Sequence, residues 1–207
     1  LHSRPTFLPD GRHFLYSARQ SAATPLPAPA LGTRRTLVLL VQFANKTAST
    51  TASAWQTSFF GASASVKDHY AVSSYGQVTI GAATESHGTA NDGIVGWLTL
   101  PTNHPNTAGS TGTANQQLTK DAILAADPYV NFAAFDTSGN GQLTPDELMI
   151  IVIVAGNETA YGGPASSCSP SVWGHKWQIS SIAPPTVDGV VAGGAGYAQF
   201  GEMHCFT

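Results

Sequence analysis

The segment Asp136-Thr137-Ser138-Gly139-Asn140-Gly141-Gln142-Leu143-Thr144-Pro145-Asp146-Glu147 has the residue types and spacing of a twelve-residue calcium loop. Asp136, Ser138 and Asn140 hold loop positions one, three and five, and Gly141 makes the sharp turn at six. Gln142 offers its main-chain carbonyl, Glu147 closes the loop, and Thr144 is expected to act directly or through water. All of these donors are oxygens, which suits a hard cation. Only Asp136 and Glu147 carry charge, so the expected affinity is the weak extracellular class, about 10⁻⁴ to 10⁻³ M. The same text also reads as a plain turn between two elements. The residues that follow, Leu148 to Gly156, form an uninterrupted β-branched run, which is a buried strand and not the exiting helix of a helix-loop-helix sensor.

The chain that positions this loop has 207 residues and 42% apolar content, enough for one ordinary domain with a core plus an appendage. Asp, Glu, Lys and Arg make up only 10% of it, against about 25% in a typical soluble protein. Ser, Thr, Ala, Gly and Asn replace them, a surface commoner outside the cell. Net charge is −3 with no basic stripe, so the footprint of a nucleic-acid binder is missing. The longest apolar runs fall short of the roughly 18 residues that a membrane span needs. Cys168 and Cys205 would pair in a secreted chain and would be incidental thiols in a cytosolic one. The chain opens on Leu1 without a charged segment leading into an apolar one, which reads as a processed product or a fragment.

Along the chain, residues 1–20 contain two short apolar stretches around Pro9-Asp10-Gly11, similar to one repeat of a TolB-like propeller: a strand pair or remnant, or a chance match. Residues 21–35 are rich in Pro and Ala and read as an extended linker, which leaves 36–207 as the folded part. Thr36 to Phe43 is expected to be a buried strand. Ser65 with Asp68 is placed as a capping box for a short helix that Gly76 stops. Gln77–Ile80 and Gly96–Leu100 read as strands. Thr113 with Gln116 opens a second helix, whose apolar positions Leu118, Ala122, Ala125 and Ala126 share a face and which Pro128 ends. The order implies an α/β or α+β layer with a central buried strand.

The run from Leu37 to Glu202 resembles the immune inhibitor A family of secreted zinc metallopeptidases. The resemblance is carried by the strand TLVLLVQFANK (36–46), by Ser65-Val66-Lys67-Asp68-His69-Tyr70 with Ser74-Tyr75-Gly76, and by Gly96-Trp97-Leu98-Thr99-Leu100-Pro101. The calcium-type loop, Trp173-Gly174-His175-Lys176-Trp177, and Tyr197 with Glu202 follow in the family's order. Two departures stand out: His69 replaces a usual tyrosine, and Ser138, Asn140 and Thr144 replace usual carboxylates. The resemblance implies a zincin-like amino-terminal subdomain with a central mixed sheet and flanking helices. It also implies secretion, protein or peptide substrates, and zinc in the full-length parent. For a secreted chain, Cys168 and Cys205 are expected to form a disulfide.

The family's activity rests on a helix with His-Glu-x-x-His, two histidines one turn apart for zinc and a glutamate as general base. No such pattern occurs in residues 1–207. The expectation is therefore an amino-terminal portion of a peptidase domain, without catalytic residues of its own, whose reading frame continues past Thr207 into that helix. The alternative is a non-catalytic, calcium-stabilised extracellular binding or structural module.

Other sites compete less well. A structural zinc site from Cys168, His175, His204 and Cys205 lacks a C-x-x-C pair, and His204 and Cys205 would point to opposite faces of an extended chain. His175 between two tryptophans reads first as a packing histidine. A serine triad using His69 or His87 has no G-x-S-x-G elbow to serve.

Overall fold

The aliphatic run near the start becomes strand β1 (Gly32–Phe43), in which Leu37 through Val41 are each 0% exposed. Covered on both faces, such a strand reads as a continuous apolar run without polar alternation. The computed structural model describes residues 31–107, 110, 112–159 and 168–204. The propeller-like stretch at 1–20, most of the expected linker and Cys205 lie outside the described residues.

The linker was expected to reach Arg35, yet the strand has begun by Gly32. Gly32 to Thr36 pair in parallel with Val78 to Ala82, and Gly32 to Arg35 are at least partly exposed, so no apolar pattern betrays the pairing. After β1 come α1 (Ala52–Phe60), α2 (Val66–Ser73), β2 (Val78–Ala82), β3 (Ile94–Leu100) and α3 (Thr113–Ala126). They are followed by β4 (Met149–Glu158), β5 (Ser171–Val172), β6 (His175–Trp177), β7 (Thr186–Val187), β8 (Val190–Val191) and β9 (Tyr197–His204).

The main sheet runs β2-β1-β4-β9-β6, with β3 against the second half of β1 and β5 against the end of β4. Every pairing in it is parallel except β6 with β9. β7 and β8 form a separate antiparallel hairpin. The protein is thus mixed α/β, a central mixed sheet flanked by helices, as the order of sequence signals implied.

Alternation along the strands sends side chains to two cores. On one face Leu37, Leu39, Val41, Ile150, Val152 and Val154 join Leu118, Ala122, Ile123 and Ala126 of α3. On the other, Val38, Leu40, Ile151 and Ile153 join Phe59 of α1, with Trp55, Phe60 and Val66 packed alongside.

Helix ends follow local chemistry. Ser65 Oγ accepts from Asp68 N at 3.1 Å, while the Asp68 carboxylate reaches back one residue further than in a standard capping box, to Ala64 N at 2.9 Å. Gly76, at φ +78°, adopts the left-handed conformation that closes α2 and donates its N–H to Ala71 O. The capping box expected at Thr113 and Gln116 does not form. Gly112 is the N-cap of α3, without a side-chain bond, and Gln116 is turned into the interior. There its Oε1 accepts from Ser180 N and Ser181 N at 2.8 and 2.7 Å, two part-buried contacts in place of one cap. α3 ends at Ala126, where Pro128 was expected to stop it.

Candidate metal centre and the neighbouring sheet edge

The calcium-type loop leaves a 3-10 turn, Phe132–Phe135, whose two phenylalanines are buried and whose first N–H donates to Asp188 Oδ2 at 2.8 Å. Asp136 then faces inward. Its Oδ1 accepts from Ser138 Oγ (3.1 Å) and Asn140 N (3.2 Å), and its Oδ2 from Gly141 N (2.8 Å). Gly141 sits at φ +75°, where a Cβ would be strained. Asn140 Oδ1 accepts from Gln142 N at 2.8 Å.

Glu147 comes back from the other end of the loop. Oε1 accepts from Ser138 N at 3.0 Å, and Oε2 from Thr144 N (3.0 Å) and Thr144 Oγ1 (2.9 Å). The Thr144 N–H, followed by the Ser138 N–H and the two hydroxyls, pulls the Glu147 carboxyl down to about 2. Ser138 therefore bridges the two carboxylates, through its hydroxyl to Asp136 and through its N–H to Glu147. The structure joins Asp136, Ser138, Glu147 and Thr144 in one hydrogen-bonded chain and links Asn140 to Gln142 beside it.

Two anchors hold the loop. Leu143 is 2% exposed in the core, and its N–H donates to Val191 O at 2.9 Å while Val191 N donates to Gly141 O at 2.8 Å, which ties the loop to the β7–β8 hairpin. At the other side, Thr144 O accepts from Glu147 N and Leu148 N, one helical turn that leads directly into β4. The donor set fits calcium: two ionised carboxylates and several neutral oxygens on a short loop, with no nitrogen or sulfur. Among the described residues no cluster of three or more His, Cys, Asp or Glu side chains is placed to hold a metal, a count that leaves out the hydroxyl, amide and carbonyl oxygens of this loop.

His175 has both ring nitrogens engaged. Nδ1 donates to the Trp173 carbonyl at 2.6 Å, which leaves Nε2 to accept from the Tyr197 hydroxyl at 3.2 Å, and the ring stacks on Trp173. This is the packing role. Cys168 is 1% exposed and disulfide-bonded; Cys205, its expected partner, lies outside the described residues.

Sequence reasoning missed a buried polar seam between α3 and β9. Gln199 Nε2 donates to Asn115 Oδ1 at 2.7 Å, Thr119 Oγ1 donates to Gln199 Oε1 at 3.2 Å, and Thr107 Oγ1 donates to Asn115 Oδ1 at 2.8 Å. Burial pushes the neighbouring Tyr197 hydroxyl up to about 12, so it remains a donor. The signal was present, since Asn115, Thr119 and Ala122 share a helix face with Leu118.

Also missed was the exposed side of the sheet. β6 closes it as the terminal strand, pairing His175, Lys176 and Trp177 with Gln199, Ala198 and Tyr197. Trp173, just before it, and Trp177, its last residue, are 36% and 48% exposed. Beside it, over β4 and β9, lies a cleft of about 760 Å³ floored by Ile151, Ile153, Ala198 and Phe200 and walled by Trp55, Phe59 and Tyr70.

No protein-family model matches this chain, and no curated protein matches it. Among the described residues no helix is long and apolar enough to cross a membrane.

Proposed function

We propose that residues 36–207 are part of a secreted zinc-dependent endopeptidase of the immune inhibitor A type, the part that carries a calcium loop and the edge on which substrate docks. The observation that carries this reading is β6, an antiparallel strand at the end of an otherwise parallel sheet, with exposed Trp173 just before it and exposed Trp177 as its last residue. An extended peptide recognises such an edge by adding a further strand, with main-chain hydrogen bonds for affinity and side-chain pockets for selectivity. Endopeptidases need this form of recognition because it reads backbone more than sequence.

The zinc helix that the resemblance implies has a natural seat next to that edge. Parallel strands are normally covered on both faces, and the cleft over β4 and β9 is the uncovered remainder of a face that α1 and α2 otherwise cover. A helix there would stand beside a peptide on β6. Zinc, when bound by such a helix, would supply an activated water. Within residues 1–207 the contribution is to align the peptide and to support the helix. Asp136, Ser138, Asn140, Gln142, Thr144 and Glu147 would hold calcium as a structural ion that fixes the turn into β4. The sparse surface charge and the disulfide-bonded Cys168 are in keeping with secretion.

The test is the reading frame beyond Thr207 and the activity of its product. A His-Glu-x-x-His helix within about 10 to 40 residues, followed by a third ligand, is expected. Changing its Glu to Gln should abolish casein cleavage while sparing zinc. The second reading, a calcium-stabilised module without catalysis, is favoured by the loop geometry alone, since that loop needs no zinc; a frame without the helix would make it the better account.

A further inference from the structure

Glu202 stands at the rim of the open cleft, 7% exposed, and only one of its oxygens is hydrogen-bonded. Oε1 accepts from Ser49 N and Thr50 N, both at 2.6 Å, and from Thr50 Oγ1 at 2.8 Å. Oε2 is buried and has no hydrogen-bond partner among the described residues. Glu158, the other carboxylate of the cleft, receives Gly174 N at 2.6 Å on Oε1 and Gly201 N at 3.0 Å on Oε2. Among the described residues, no Lys or Arg lines the cleft. A buried carboxylate oxygen without a donor is unfavourable, and charge removed from water calls for a countercharge. Glu202 lines the cleft together with the apolar side chains of Ile151, Ile153 and Phe200.

We propose that the cleft is the seat of an amphipathic helix whose apolar face covers β4 and β9 and which brings one cationic side chain to Glu202 Oε2. The inference rests on the reading of this face as the place of a covering helix, and it adds the chemistry by which that helix is recognised. A helix is the fitting occupant because the rest of the same face is covered by α1 and α2. A cation is the fitting partner because Glu202 Oε2 is a buried carboxylate oxygen without a hydrogen-bond donor and no Lys or Arg of the described residues lines the cleft. Glu202 is then a positioning residue. Through Oε1 it holds Ser49 and Thr50 at the entrance to α1, and through Oε2 it sets the register of the incoming helix.

The experiment is calorimetric titration of the 207-residue chain with two synthetic amphipathic peptides of about four helical turns, identical except for Lys or norleucine at one central position of the apolar face. The Lys peptide should bind about tenfold more tightly, and a third peptide with Glu there should bind more weakly than either. Glu202→Gln keeps an acceptor at Oε1 and should abolish the preference for Lys without altering the far-ultraviolet circular dichroism. Phe200→Ser should weaken the Lys and norleucine peptides alike. Equal binding of all three peptides, a Lys preference that survives Glu202→Gln, or no saturable binding would overturn the proposal. None of these outcomes depends on zinc, so they are separable from failure of the peptidase reading, which is scored by the activity of the full-length product.

Discussion

On the α3 side of the sheet, Leu37, Leu39, Val41, Val152 and Val154 are all 0% exposed, and even the amides between helix and strand are paired with one another. On the α1 and α2 side Val38, Leu40, Ile151 and Ile153 are buried as well, but β9 presents Phe200 at 41% exposure, and one oxygen of Glu202 has no hydrogen-bond partner among the described residues. The two faces share a backbone, so the difference does not lie in strand formation. It lies in what covers each face. The α3 face is finished within the described residues, and the other has the composition of a face that something else completes. A finished face should resist substitution, and an unfinished one should tolerate it until its cover is present.

The largest expected effect follows directly. Leu37→Ala on the closed face should lower the unfolding free energy by about 3 kcal/mol, the usual cost of a cavity at a fully buried leucine. Phe200→Ser on the open face should cost less than about 1 kcal/mol in the same urea titration. Equal losses would erase the contrast between the faces.

The polar groups give a second, smaller contrast. Gln199→Ala removes partners from both Asn115 and Thr119 in a dry seam and should cost about 2 kcal/mol. Glu202→Gln should be close to neutral in the isolated chain, because the oxygen it replaces makes no bond there. A Glu202→Gln loss as large as that of Gln199→Ala would show that Oε2 is satisfied after all.

How much of this was legible in the sequence depends on which physical signal each element carries. β1 and β4 announce themselves because strands buried on both faces need unbroken aliphatic runs. The loop was legible because a metal-binding turn fixes residue type at nearly every position. α1 was not, since its text ASAWQTSFF is rich in Ser and Thr and weak in helix propensity, and its tertiary contacts decide it. β9 was equally obscure. Its polar members Gln199, Glu202 and His204 break the apolar pattern, and Gln199 and Glu202 serve contacts remote in sequence, with α3 and with the Ser49–Thr50 turn. Cover for a face cannot be read from a strand's own residues.

Calcium should matter less than the core. With a dissociation constant in the weak extracellular class, raising calcium to ten times that value should add about 1.4 kcal/mol of stability by mass action. Asp136→Ala should remove the gain, as followed by thermal melts with and without calcium. Because the Glu147 carboxyl lies at about 2, below its ordinary value, Glu147 stays ionised through mildly acidic conditions. Proton uptake by Glu147 should therefore not weaken calcium binding above pH ~5. Any native-state stability from this carboxylate is present above its ordinary value and lost as pH falls towards 2; its exposure to solvent keeps that contribution small.

A pH effect of opposite chemistry sits at His104, where burial first, and Lys46 second, hold the imidazole down to about 4. The unfolded chain takes up this proton near the ordinary histidine value and the folded chain does not. Stability should therefore rise with pH between about 4 and 6.5 and level off above that window. His104→Leu should flatten the slope; an unchanged slope would place the titration elsewhere.

The central claim, that this chain is the supporting part of a zinc endopeptidase, is tested most directly by zinc content and casein cleavage of the product of the complete reading frame, measured beside residues 1–207 alone. The account predicts about one zinc per full-length chain, with cleavage lost on chelation, and neither zinc nor cleavage for residues 1–207. A complete frame without a His-Glu-x-x-His helix, or a full-length product that binds no zinc and cleaves nothing, would contradict it.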